Sequence, residues 1–339
     1  MCQYSAIDGF ATEWHLVHLG ARALGGAGLI VVEATAVVPE GRISPADLGI
    51  WSDEHVEPLA RIADFLHTHG AVAGIQLAHA GRKASTAAPW DGGAPISPDV
   101  DEGWPVVGPS AVAYDDAHQV PHELTISEIE ELVEHFVDAA RRAVDAGFDV
   151  LEVHGAHGYL LSTFHSPLSN LRTDAYGGDF EGRTKLTLDI VRAIRAAVPE
   201  TTALLLRITS SDWVEGGWTI EETVELARAA AALGVDLVDC SSGGVSPDQQ
   251  IATGAGYQVP FAQAVREAGV RSGAVGLIED AEHADRIIRS GDADLVLLAR
   301  PFLRDPHWAI NAALELGQPA PVPPQYQRAF SRSVVAAGR

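Results

Sequence analysis

Seven short runs of β-branched and leucine-rich residues, at 29–34, 72–77, 150–154, 203–208, 237–240, 274–277 and 294–299, alternate with longer segments of helical periodicity. Parallel strands need a crossover between them, so this alternation confines the chain to βα units around a parallel sheet. The helical segments are 12–24, 54–67, 127–146, 183–198, 220–233, 281–290 and 306–315. Ser127 with Glu130 reads as a capping box, and Gly147, Gly234 and Gly291 stand at C-terminal cap positions. At 339 residues the chain suits one large (β/α)8 barrel, an α/β TIM barrel spanning residues 1–339. Seven strands are one short of closure, and Met1-Cys2-Gln3-Tyr4-Ser5-Ala6 leads straight into a helix. The barrel is therefore expected to lack its first strand at the N-terminus. Residues 81–124, rich in Pro, Gly and Asp, form a lid-like insertion, because loops of that length usually wall or cover a site.

Composition removes several function classes. A formal charge of −23 repels phosphate backbones and anionic membranes, so neither nucleic acid nor a membrane is an expected partner. The apolar stretch 29–38 is interrupted by Glu33 and is too short to span a bilayer. Two cysteines, Cys2 and Cys240, make no disulfide framework and fit a reducing cytoplasm. Gly25-Gly26-Ala27-Gly28 precedes its strand, so it is not a dinucleotide fingerprint.

A barrel gathers its chemistry at the C-terminal ends of its strands. The densest such end is Val153-His154-Gly155-Ala156-His157-Gly158-Tyr159, with three proton-handling side chains in six positions. The spacing alone admits acid–base catalysis, a metal pair or a structural role. Gln76, His79, Arg82 and Lys83 follow the run at 72–77, Arg207 ends the run at 203–208, and residues 241–244 follow the run at 237–240. Gly276 and Arg300 close the last two units, where barrel loops often hold a phosphate. Arg207 can offset charge on an anionic ring system, and Gln76 can offer both donor and acceptor to an amide-like edge. Either residue serves equally as a salt-bridge or cap partner.

Met1-Cys2-Gln3-Tyr4-Ser5-Ala6, Gly74-Ile75-Gln76-Leu77-Ala78-His79-Ala80-Gly81-Arg82-Lys83, the His154-x-x-His157-x-Tyr159 group and the stretch from Ser166-Pro167-Leu168-Ser169-Asn170 to Tyr176-Gly177-Gly178 together resemble the old yellow enzyme family. The Cys2/Tyr4 head resembles its thermophilic-like branch, which includes NADPH dehydrogenases and xenobiotic reductases. The resemblance implies an FMN-containing barrel that takes hydride from NADPH, or NADH, and reduces activated alkenes: enones, enals, maleimides and nitroalkenes. By the same match His154 and His157 would hold the substrate oxygen and Tyr159 would protonate the α-carbon. Met1, Cys2, Ala34, Gln76, Arg207, Ser241, Gly276, Ala299 and Arg300 would bind FMN. Cys2 would also modulate it, while Tyr4 and Lys83 would face substrate. The segment 322–330 resembles the branch's C-terminal finger, which carries Arg328 into a neighbouring subunit and implies a homodimer or homotetramer.

The family carries its first strand and a flavin-touching Ser-Pro pair upstream of the position of Met1, and the expectation here is a start at an internal methionine. Ala299, Phe330 and His165 also depart from the usual residues, without removing a reacting group. Two other readings stand beside this one. One is a metal-dependent hydrolase using His154, His157 and a carboxylate such as Glu152; the other is a barrel that binds flavin but is inactive through its missing strand.

Overall fold

Strands of a parallel sheet covered by helices are buried on both faces, and the sequence supplies such runs in seven places. In the computed structural model, which describes residues 1–331, 334 and 335, they are β1 (Leu29–Ala36), β2 (Val72–Ala78), β5 (Val150–Gly155), β6 (Ala203–Thr209), β7 (Leu237–Ser241), β8 (Ser272–Ala274) and β9 (Leu295–Val296). All pairings are parallel and follow chain order, so each strand lies beside the next. The sheet curls into a half-closed barrel whose edges, β1 and β9, are not hydrogen-bonded to each other. Two further short strands, β3 (Val107–Gly108) and β4 (His122–Glu123), pair inside the insertion and were not legible from the sequence.

The helices are α1 (Glu13–Leu24), α2 (Val56–Thr68), α3 (Ile126–Asp145), α4 (Leu160–His165), α5 (Phe180–Ala197), α6 (Ile220–Ala232), α7 (Val259–Glu267), α8 (Ala281–Ser290), α9 (Arg300–Arg304) and α10 (Trp308–Glu315). The capping box of α3 belongs to Thr125 and Glu128, not to Ser127 and Glu130: the Glu128 N–H donates to Thr125 Oγ1, and Glu128 Oε2 accepts the Thr125 N–H. The cap glycines stand as expected, with Gly147, Gly234 and Gly291 all in the left-handed region. The runs 274–277 and 294–299 overshoot. Regular pairing ends at Ala274 and Val296, and the residues beyond them form the mouth of the barrel.

Alternation along the strands sorts the interior from the helix-facing layer. Leu151, Val153, Leu204, Leu206, Ile208, Val238 and Cys240 pack outward against the helices in the main core. Their alternates point inward and change character with height. Val150, Leu205 and Leu237 cluster with Leu29 and Ala203 as an apolar floor. One step up stand Glu152, Arg207 and Asp239, and above them His154, Thr209 and Ser241. His165, unusual for an apolar position, has its ring nitrogen 2.7 Å from Thr187 Oγ1 and its ring centroid 5.2 Å from that of Trp218, so it is a satisfied core residue.

Candidate active site

The upper interior opens into a cavity of about 350 Å³. Met1, Cys2, Tyr4, Ala34, Gln76, His154, His157, Tyr159, Arg207, Ser241, Gly276, Ala299 and Arg300 all line it, so residues scattered over almost the whole chain meet there. His79, Arg82 and residues 242–244 do not line it: His79 Nδ1 accepts the Gly81 N–H, and Arg82 donates to the carbonyl oxygens of Val112, Ala113 and Val245. Nor do the two residues expected to face substrate from the β2 loop and the C-terminal finger. Lys83 lies behind the wall, donating to the carbonyl oxygens of His157 (2.9 Å) and Gly244 (3.1 Å), and Arg328 is exposed on the 3₁₀ turn Gln327–Ala329.

Lys83 thereby ties the loop after β5 to the loop after β7. These loops touch backbone to backbone. His157 (φ 64°) and Gly158 (φ 71°) are both left-handed, and a Cβ on Gly158 would fall 2.0 Å from the Gly244 carbonyl oxygen. Gly158→Ala is therefore expected to cost at least about 2 kcal/mol through backbone conformation and overlap together. Urea unfolding measures it, and an unchanged midpoint would show that the loops separate freely.

The histidine rings meet edge to face with centroids 5.2 Å apart, and the Tyr159 ring stands 5.2 Å from His154 and 6.5 Å from His157. His154 Nδ1 accepts the Ala156 N–H (3.2 Å), so its remaining proton resides on Nε2. His157 is fixed by its own N–H to Thr209 Oγ1 (2.7 Å) and by its Nε2, 2.7 Å from Ser241 Oγ. Burial, then Arg207, holds both imidazoles well below their usual range, so each is neutral with one N–H to give. Burial, then Cys2, raises the Tyr159 phenol well above its usual value and keeps it protonated. The Cys2 thiol is likewise raised by burial and then by Asp47, so it is not a thiolate.

Beneath the histidines, Arg207 Nε stands 3.0 Å from Asp239 Oδ2 but off the hydrogen-bonding axis, so that donor is unsatisfied. Gln76 Nε2 donates to Glu152 Oε2. Gly276 (φ 113°) has no room for a side chain, since a Cβ would meet Gln258 at 2.8 Å. Beside it Arg300 opens α9 with an exposed side chain. An amide edge, an unsatisfied guanidinium donor, a glycine turn and an exposed arginine suit a ring system that ends in a phosphate. FMN fits this donor set: Gln76 and Arg207 would hold its ring, and Gly276, Ala299 and Arg300 its phosphate.

The lining also includes residues the sequence did not single out: Tyr257, Gln258, Ile278 and Glu279. Ser242 Oγ donates to Gln258 Oε1 (2.6 Å), which anchors this side of the mouth. The insertion reaches the site through Trp90, whose ring lies edge-on to Tyr4 at 5.6 Å. Among the described residues no three His, Cys, Asp or Glu side chains are grouped as metal ligands, and Glu152 is committed to Gln76 rather than joined to the histidines.

A parallel barrel whose strand ends gather these groups defines a flavin-type oxidoreductase. The family model described as "NADH:flavin oxidoreductase / NADH oxidase family" matches residues 1–318. The NADPH dehydrogenase of Halalkalibacterium halodurans is 46% identical, over 97% of this chain and 93% of that one. An NADH:flavin oxidoreductase of Gibberella zeae is 47% identical, over 94% of this chain and 81% of that one. Among solved structures, a morphinone reductase variant in complex with tetrahydroNAD superposes with a TM-score of 0.75 at 25% identity, over 95% of this chain and 87% of that one. A 2-naphthoyl-CoA reductase superposes at 0.81 and 26% identity over 93% of this chain, which spans only 49% of that longer one. The chain belongs to the NADH:flavin oxidoreductase family, the old yellow enzymes. It is an FMN-dependent enzyme that uses NAD(P)H as reductant.

Proposed function

We propose that the enzyme reduces activated C=C bonds, in enones, enals, maleimides and nitroalkenes. The observation that carries this reading is the pair of neutral imidazoles on the wall shared with the Tyr159 hydroxyl. Two neutral imidazoles on one wall suit the carbonyl or nitro oxygen of an alkene whose β-carbon is to accept hydride, because their N–H groups can stabilise negative charge as it develops there. Bound FMN supplies that hydride after reduction by NAD(P)H. Tyr159, kept protonated, then delivers a proton to the α-carbon. Tyr4 and the insertion, through Trp90, wall the substrate side, and Lys83 supports the His157 loop from behind.

Arg328 is exposed and does not line this chain's own cavity, which suits a role in the site of a second copy, in a homodimer or homotetramer. Free Cys2 and Cys240 suit the cytoplasm. A metal-dependent hydrolase is disfavoured by the engagement of Glu152 with Gln76. Purified protein given FMN is expected to show a bound flavin spectrum and to oxidise NADPH faster with cyclohexenone present. Flavin bound with no alkene-dependent turnover would overturn the substrate class and leave an inactive flavin barrel.

A further inference from the structure

Midway up the barrel, two buried carboxylates face one guanidinium. Glu152 and Asp239 are 1% and 0% exposed, and the guanidinium beside them is that of Arg207, 3.0 Å from Asp239. Asp239 forms an ion pair with Arg207, whereas Glu152 takes the hydrogen bond from Gln76 Nε2; Glu152 Oε1, like both Asp239 oxygens, has no hydrogen-bond partner among the described residues. A buried carboxylate oxygen left unpaired is expensive unless the group does something else.

We propose that Glu152 is a positioning residue that locks the Gln76 amide with its oxygen toward the cavity, matched to the single N–H of the flavin's pyrimidine edge, and that the lock depends on whether Glu152 is ionised. An ionised carboxylate only accepts, so it can hold only the NH₂ end of the amide and turns Oε1 to the cavity. A protonated carboxyl also carries an O–H, which pairs as readily with the amide oxygen and allows the amide to reverse.

The groups facing Glu152 are Gln76 from β2, Arg207 from β6, Asp239 from β7 and the α-amino group of Met1. Glu33 on β1 turns instead to the Gln3 N–H. Burial, then Asp239, pushes the Glu152 carboxyl up to about 7 against the opposing pull of Arg207, the Gln76 hydrogen bond and the α-amino group. The sign follows directly: the group is neutral below about pH 7 and ionised above it, so the lock is set on the alkaline side.

The test measures riboflavin affinity of the flavin-free protein by fluorescence quenching at pH 6 and pH 8. Riboflavin is the probe because the second ionisation of a phosphate, near pH 6, would mask the step in FMN. Wild type is expected to bind about tenfold more tightly at pH 8, the loss of one charge-assisted hydrogen bond at pH 6. Glu152→Gln keeps an acceptor oxygen at every pH, so it should bind riboflavin with an affinity that changes less than about twofold. Glu152→Leu, with no acceptor, should bind at least about fivefold more weakly than wild type at pH 8. Glu33→Gln, which removes the other carboxyl raised to about 7, should keep the step.

A step that persists in Glu152→Gln, or equal wild-type affinity at both pH values, overturns the proposal while flavin binding and the ene-reductase reading stand. A wild-type protein that binds neither riboflavin nor FMN at either pH overturns both.

Discussion

Replacing His157 by alanine is expected to lower kcat/KM for cyclohexenone by roughly 10²–10³, the usual loss for one oxyanion donor, with flavin still bound. The size follows from the surroundings. Both rings are neutral, His154 buried and His157 half-buried, so their N–H groups act with little competing water, and the low-dielectric wall strengthens each dipole against charge developing on the substrate oxygen. Flavin is expected to stay because Gln76, Arg207, Gly276 and Arg300, the residues proposed to hold it, lie outside the β5 loop that carries His157.

His154→Ala should act in the same direction with a further complication, since it strips the Ala156 N–H of its acceptor. His154→Asn restores an amide N–H and should recover part of the loss, which separates the donor role from packing. Reduction of bound flavin by NADPH, followed by its absorbance, should change far less than reoxidation by the enone. Full enone turnover in the His154→Ala/His157→Ala double variant would remove the pair from the mechanism.

Much of this arrangement could be read from the chain before any coordinate, for a specific reason. Interior and helix-facing residues of β5 and β7 are all buried, as are those of β6 apart from Ala203 and Arg207, so these strands declare themselves as apolar runs, and a polar residue within one is conspicuous. His154, Arg207 and Gln76 stood out on that ground. The last two strands were harder. β8 is Ser272–Ala274, three small residues with weak strand character, and the apolar residues that follow it line the cavity instead.

α7 was missed because it is nine residues long with Pro260 in its first turn, after a polar loop. Gln258 was missed with it, because its role depends on Ser242 and Gly276, and no local pattern marks such a meeting. Lys83 was legible as a charge near a strand end. Its target was not, because whether an ammonium meets substrate or two carbonyl oxygens is decided by where the β5 and β7 loops touch.

Tyr159→Phe is the second large effect expected, a fall of roughly 10²–10⁴ in alkene reduction, the usual contribution of a placed general acid. The substitution keeps the ring, so its edge contact with His154 and the Lys83 ammonium 5.2 Å above it persist, and only the O–H is lost. Flavin reduction by NADPH needs no proton from this phenol and should be unchanged. Substrates should separate by the basicity of the carbanion they leave. An enolate needs prompt protonation at carbon, whereas a nitronate keeps its charge on the nitro oxygens and can depart to be protonated in water, so a nitroalkene should lose much less.

The pH profile gives an independent check. Because burial raises the Tyr159 phenol well above its usual range, the donor stays protonated, and the wild-type alkene step should show no loss from its ionisation between pH 6 and pH 9. The neutral histidines titrate well below 6.5 and likewise contribute nothing in that window. An undiminished enone rate in Tyr159→Phe would assign the proton to another donor on this wall, and Tyr4, whose phenol burial also keeps protonated, would be the next to replace.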